Sequence, residues 1–153
     1  MRYLSTRGES KSMTLADALW SGMAPDGGLL VPEQLPAFDT AAVQALQGLP
    51  LDRLAARVLA PFFAGDRLES ELEAICTEAF TFEAPLRELG PSSALLELFH
   101  GPTAAFKDFG ARFLAACLRR LGASEDHPLT ILVATSGDTG GAVASAFHGS
   151  AGI

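Results

Sequence analysis

The run Leu129-Thr130-Ile131-Leu132-Val133-Ala134 leads straight into Thr135-Ser136-Gly137-Asp138-Thr139-Gly140-Gly141, and this into Ala142-Val143-Ala144-Ser145-Ala146-Phe147. A short apolar run behind Pro128 has the length and composition of a buried strand, and the small-residue stretch after the glycines reads as a helix. The same order occurs upstream. Ser93 to Phe99 reads as a strand, His100-Gly101-Pro102-Thr103 as a turn, and Ala104 to Leu121 as a helix that Gly122 can close. Strand, helix, strand, helix implies parallel strands joined by crossover helices. The expected class is α/β, with residues 91–153 as the beginning of a parallel-sheet domain. Two strands leave both faces of such a sheet to be covered. Ile153 also falls where another strand is due, so the domain is expected to be incomplete, a truncated sheet.

Residues 1–90 read differently, as a mostly helical region. Thr14 with Asp17 has the form of a capping box, opening a helix that Gly22 can close. Pro25-Asp26-Gly27-Gly28 is a turn, and Leu29-Leu30-Val31 a short strand stopped by Pro32. Asp39 or Thr40 can cap a helix through Gln47. Leu51 to Phe63 and Leu68 to Phe80 carry apolar residues at helical spacing, and Pro85 closes the region.

Composition narrows the function. Of the 153 residues, 48% are hydrophobic and 19% charged, enough apolar material for a packed core and unlike a disordered chain. The net charge of −7 repels nucleic acid and anionic membranes, so neither is an expected partner. The sequence contains no apolar run long enough to span a bilayer, and its N-terminus does not read as a signal peptide. Cys76 and Cys117 sit in helical stretches with apolar neighbours. They read as buried thiols of a reducing, cytoplasmic protein rather than as metal ligands, so no metal site is expected.

Two constellations carry chemistry. In His100-Gly101-Pro102-Thr103-Ala104-Ala105-Phe106-Lys107-Asp108-Phe109, a lysine stands at a strand-to-helix junction, the place where open α/β sheets bind ligands. Desolvation and the positive end of the helix both lower an amine's pKa there, which readies it for Schiff-base chemistry with an aldehyde. The plain alternative is a surface lysine paired with Asp108 or another acid. In Thr135 to Gly141, glycines admit close backbone approach, amides at the helix start attract an anion, and Thr135, Ser136 and Thr139 add hydroxyls. Neither a P-loop nor a GxGxxG fingerprint is present. The alternative is a bare helix-capping turn, and Asp138 argues against a loop that only holds phosphate. His100 is either satisfied by local backbone or ancillary to the site. His127 and His148 are assigned no role, and Asp108 reads as structural, in a first helical turn that favours negative charge.

Taken together, Leu96 to Phe109 and Leu132 to Gly140 resemble the fold type II pyridoxal-phosphate (PLP) enzymes, and among them the N-terminal portion of the threonine synthase family. Tyr3-Leu4-Ser5-Thr6-Arg7-Gly8 and Ala24-Pro25-Asp26-Gly27-Gly28-Leu29 carry the same resemblance. It implies PLP as cofactor, bound through Lys107, with Asp138 near its phenolic oxygen. Thr135, Ser136, Gly137 and Thr139 would hold the substrate carboxylate. The implied reaction converts O-phospho-L-homoserine and water to L-threonine and phosphate, a carbon–oxygen lyase step in threonine biosynthesis. The groups for the cofactor's phosphate and pyridine nitrogen are expected beyond residue 153, so residues 1–153 alone are expected to be inactive. Related readings are another fold type II lyase acting on a serine, cysteine or threonine derivative, and a non-catalytic protein that binds PLP or a phosphorylated ligand.

Overall fold

The computed structural model describes residues 1–122, 126 and 128–153. The chain forms two compact units, Met1–Ala74 and Ile75–Ile153.

In the first unit, β1 (Tyr3–Ser5) pairs antiparallel with β2 (Leu30–Pro32), Tyr3 opposite Pro32 and Ser5 opposite Leu30. Tyr3 also exchanges backbone hydrogen bonds with Met13, both 2.9 Å. Helix α1 (Leu15–Ser21) starts where expected: Thr14 accepts from the Asp17 amide at 3.1 Å, and Gly22 ends the helix at φ 69°. Asp39 caps α2 (Thr40–Gln44), which is shorter than its sequence suggests. Helix α3 spans Leu51–Phe63 as its periodicity predicts. The 68–80 stretch divides into a 3₁₀ turn, Glu69–Glu71, and α4 (Leu72–Ala79). Leu15, Ala16, Phe63 and Leu68 are buried in this unit. Asp66 ties two segments, accepting from the amides of Ala16 and Leu68, both at 3.0 Å.

The Pro25–Gly28 turn is held by a polar node. Ser5 Oγ donates to Asp26 Oδ1 at 2.6 Å, and the amides of Gly28 and Glu9 donate to the same carboxylate at 2.9 and 3.1 Å. The Ser5 bond, reinforced by these amides, outweighs desolvation and lowers the Asp26 pKa from 3.8 to about 2. A Cβ on Gly28 would fall on Ser5 Oγ and stand 3.1 Å from the Arg7 amide. Gly28→Ala is therefore expected to cost roughly 1–3 kcal/mol, read from a denaturant midpoint. Because the folded value is depressed, the contribution of Asp26 to stability is fully present above pH 3.8 and is lost as pH falls through about 2. Asp26→Asn should flatten that limb of the acid-unfolding curve; an unchanged limb would rule the node out as its source.

The second unit holds β3 (Leu86–Gly90), β4 (Ser93–Leu96), α5 (Lys107–Arg120) and α6 (Asp138–Phe147). Helices α5 and α6 pack on one another, burying Ala115, Ala116, Cys117, Ala142 and Phe147. Arginines fasten the end of α4 that belongs to this unit, residues 75–79, to this pair. Arg112 donates to the carbonyls of Ala79 and Glu78 at 2.7 and 3.0 Å, partnering carbonyls at a helix end that lack intrahelical donors. The Glu78 carboxylate bonds Arg120 at 2.8 Å and Arg119, which also reaches Ser150 Oγ at 2.9 Å. Desolvation would raise the Glu78 pKa, but the two guanidinium groups more than offset it and hold the carboxyl below its usual range. Cys76 and Cys117 are both buried thiols, in α4 and α5.

The mixture of helices and strands is as expected, but the strand pairing is not. No parallel ladder joins Ser93–Phe99 to Leu129–Ala134: both ladders among the described residues are antiparallel. The strand from Ser93 ends at Leu96 and forms a hairpin with β3, a strand its sequence did not announce. A hairpin closes over a few residues, so β4 meets β3 before any distant partner. Residues 129–134 form no strand; Leu129 donates to the Gly152 carbonyl at 2.7 Å, and Leu132 is 91% exposed. Strand composition makes no ladder without a neighbour to pair with.

Candidate active site

Two loops in the second unit, each opening a helix, hold the residues that the sequence singled out. The first runs from β4 to α5. Its tight part closes with the Ala104 amide donating to the Gly101 carbonyl at 3.1 Å, and Ala104 itself takes φ 56°, the only positive φ of a non-glycine residue among those described. This left-handed residue prevents a helix from starting at Ala104, and α5 begins at Lys107 instead.

Lys107 is half-buried in the first turn of α5. Its Nζ lies 4.2 Å from the centre of the Phe106 ring, a cation–π distance. No carboxylate forms an ion pair with it among the described residues. The pairing with Asp108 that would have made Lys107 an ordinary surface residue is therefore not formed. Asp108 turns the other way. It is fully buried, and its oxygens accept from the Thr103 amide at 2.9 Å and the Thr103 hydroxyl at 2.7 Å.

His100 bonds a side chain rather than the backbone. Its Nε2 lies 2.7 Å from Glu97 Oε2, and its ring stacks on Phe99 at 4.7 Å between centres. Arg87 approaches the other Glu97 oxygen at 3.4 Å. The His100 hydrogen bond is the main reason the Glu97 carboxyl sits below its usual pKa. Sequence reading passed over Glu97 and Arg87, although the i, i+3 spacing of Glu97 and His100 was visible.

The second loop is Thr135–Gly141. Thr135 Oγ1 accepts from the amides of Gly137 and Gly140, both at 3.2 Å, and the Gly141 amide bonds the Gly137 carbonyl at 2.9 Å to open α6. The amides of Asp138 and Thr139 lie in the first helical turn, where no intrahelical acceptor exists. Gly137 has φ 153° and ψ −80°. A Cβ on Gly140 would overlap the Thr135 methyl group. Thr135 to Asp138 are exposed and Thr139 is half-buried. Thr135, Gly137 and Gly140 are thus joined by direct bonds, whereas no hydrogen bond or ion pair links Lys107 to this loop. Packing of α5 on α6 relates the two loops through their helices. His148 follows α6 and is exposed, and His127 lies outside the described residues.

Among the described residues no cluster of three or more His, Cys, Asp or Glu is placed to hold a metal ion, and no helix is long and apolar enough to cross a membrane. The donors at hand are an amine that no acid claims, backbone amides at a helix start, and threonine and serine hydroxyls. That set suits an aldehyde cofactor and an amino-acid carboxylate.

Comparison with known proteins covers both units. The family described as "Threonine synthase N terminus" matches residues 2–80, which stops short of both loops. The threonine synthase of Pseudomonas aeruginosa is 44% identical over 147 residues, covering 93% of this chain and 31% of its own length. The crystal structure of threonine synthase from Escherichia coli superposes with a TM-score of 0.89 at 38% identity, over 97% of this chain and 34% of that one. The X-ray structure of PLP-bound threonine synthase from Brucella melitensis gives 0.90 at 41% identity, over 99% and 34%. The chain thus spans about a third of the length of the curated relatives it matches. Since residues 2–80 are more than half of the sequence, that match shows what the fold and the loops suggested: the chain belongs to the threonine synthase N-terminus family.

Proposed function

We propose that this chain is the N-terminal portion of a PLP-dependent threonine synthase, which converts O-phospho-L-homoserine and water to L-threonine and phosphate. Residues 1–90 are its N-terminal region and 91–153 the beginning of its catalytic domain. The observation that carries the reading is the Lys107 amine: half-buried, on the first turn of α5, and unclaimed by any carboxylate among the described residues. An amine in that setting is available to bond an aldehyde carbon. The two solved relatives named above share the fold, and one of them has PLP bound.

Lys107 holds the cofactor through its Nζ. When not bonded to the cofactor, the Lys107 Nζ would serve as the acid and base that carries protons between substrate carbons. The bound cofactor supplies an electron sink for the carbanion character that these proton transfers create. The hydroxyls of Thr135, Ser136 and Thr139, with the Gly137 backbone, hold the substrate carboxylate at the start of α6, where helix dipole and amides favour an anion. Asp138, the first residue of α6, would be among the residues that hold the cofactor. The substrate is a small molecule, the setting cytoplasmic, and neither nucleic acid nor membrane takes part.

The test uses the full natural chain that contains this sequence. Incubation with O-phospho-L-homoserine should release phosphate and form threonine in equal amounts, only when PLP is supplied. Phosphate release without threonine would favour a different lyase of the same fold type.

A further inference from the structure

Asp108 is the only buried carboxylate or basic side chain among the described residues. Among the described residues no cation pairs with it, and its hydrogen-bond donors both belong to Thr103. A carboxylate removed from water without a counter-charge costs more than an apolar residue of the same size, so packing alone gives no reason for it. The first turn of α5 offsets part of that cost, because a helix start favours negative charge. What the carboxylate does geometrically is bend back across the turn that precedes its own helix.

Three features show how firmly it holds that turn. Thr103 gives both its amide and its hydroxyl to Asp108. Gly101 lies so close that a Cβ there would overlap Asp108 Oδ2 and stand 2.7 Å from Asp108 Cβ. Ala104, between these residues and the helix, is kept at φ 56°, a conformation that disfavours a residue with a Cβ and persists only where surrounding bonds impose it. The turn and the first helical turn are thereby locked together, and Lys107 stands inside the lock, one residue before Asp108 and four after Thr103. Its Cα, and the direction in which its side chain leaves the helix, follow from the lock.

We propose that Asp108 is a positioning residue for Lys107: its buried carboxylate clamps Thr103 against Gly101, and the clamp sets where the Lys107 amine can reach. This rests on the reading of Lys107 as the cofactor lysine. Asparagine keeps the geometry, since its amide oxygen can accept from the Thr103 amide while its NH₂ donates to the Thr103 hydroxyl. Alanine loses it. Gly101→Ala pushes directly on the same carboxylate.

The experiment uses the full natural chain with Asp108→Ala, Asp108→Asn, Gly101→Ala and, as a core control, Ile75→Val in the fully buried α4 position. Each protein is titrated with PLP and reduced with borohydride, and the label on Lys107 is measured by peptide mass spectrometry beside a thermal midpoint. Asp108→Ala and Gly101→Ala should need about tenfold more PLP for half-labelling and lose about 100-fold in kcat/KM, the scale of a misplacement of ~1 Å. Asp108→Asn should restore labelling, and Ile75→Val should leave it unchanged whatever its midpoint. Should Asp108→Ala not fold, Gly101→Ala against Ile75→Val decides the same question. Labelling curves for the folded Asp108→Ala and Gly101→Ala proteins that coincide with the control overturn the proposal, and so does an Asp108→Asn protein as impaired as alanine, which would make charge the cause. Absence of label on Lys107 in the unsubstituted protein is a separate result, and overturns the reading of Lys107 itself.

Discussion

Lys107→Ala is expected to leave the fold intact and abolish both cofactor capture and turnover. The side chain is only half-buried, forms no ion pair among the described residues, and lies over the neighbouring Phe106 ring, so its removal takes little from packing. Under the proposed function the loss is large, because the same amine would serve twice, first to bond the cofactor and then to move protons. Loss of the proton-transfer role alone accounts for roughly 10²–10⁴ in rate. Within this sequence the only other lysine is Lys11, ten residues from the N-terminus, and no feature of it suggests a substitute. The full natural chain should lose its visible cofactor absorbance on Lys107→Ala, with an unchanged thermal midpoint in the absence of PLP. A variant that keeps a borohydride-reducible cofactor link would show that another amine does this work.

Gly137→Val has the second largest effect, and of a different kind. Gly137 stands at φ 153° and ψ −80° just before α6, a region of backbone space open to glycine and closed to a β-branched residue. Nothing lies within 4 Å of the position a Cβ would take, so the obstacle is torsional rather than a clash. To accept valine the loop must abandon that conformation, and with it the bonds from the Gly137 and Gly140 amides to Thr135 Oγ1. Strain of this kind is worth about 1–3 kcal/mol, which corresponds to roughly 5- to 150-fold weaker substrate binding. PLP capture at Lys107 should be preserved, since Lys107 makes no bond to this loop. A substrate titration followed by the change in cofactor absorbance separates the two effects; an unshifted titration would reduce the loop to a helix-capping turn.

The pattern of what could be read in advance follows the range of the interactions. Thr14 capping the Asp17 amide, Gly22 ending α1, Asp39 capping α2 and the span of α3 were legible, because each depends on residues within a few positions along the chain. The hairpin of β3 with β4 was missed, although Gly90-Pro91-Ser92 is a turn-forming interval, because every residue of β3 is exposed and no buried face marks the strand. The helix after His100 was read three residues too early, since its sequence is helix-forming from Ala104 and only the bent turn keeps Ala104 out.

By itself, the sequence determined which residues could do chemistry: a lysine between apolar neighbours at a helix start, and a glycine-rich, hydroxyl-bearing loop before a second helix. Those are matters of residue type and spacing, and they carried the family resemblance. Tertiary structure alone decided how these groups are held. Asp108 reaches back to Thr103 and Gly101 instead of pairing with Lys107, Thr135 folds its hydroxyl over two glycine amides, and the apolar 129–134 segment lies in no ladder. The physical reason is common to all three. A carboxylate or a hydroxyl has several partners open to it and a strand only those brought alongside it, so which partner each takes, or none, depends on the path of the backbone, set by bonds and packing among residues that local sequence does not place side by side.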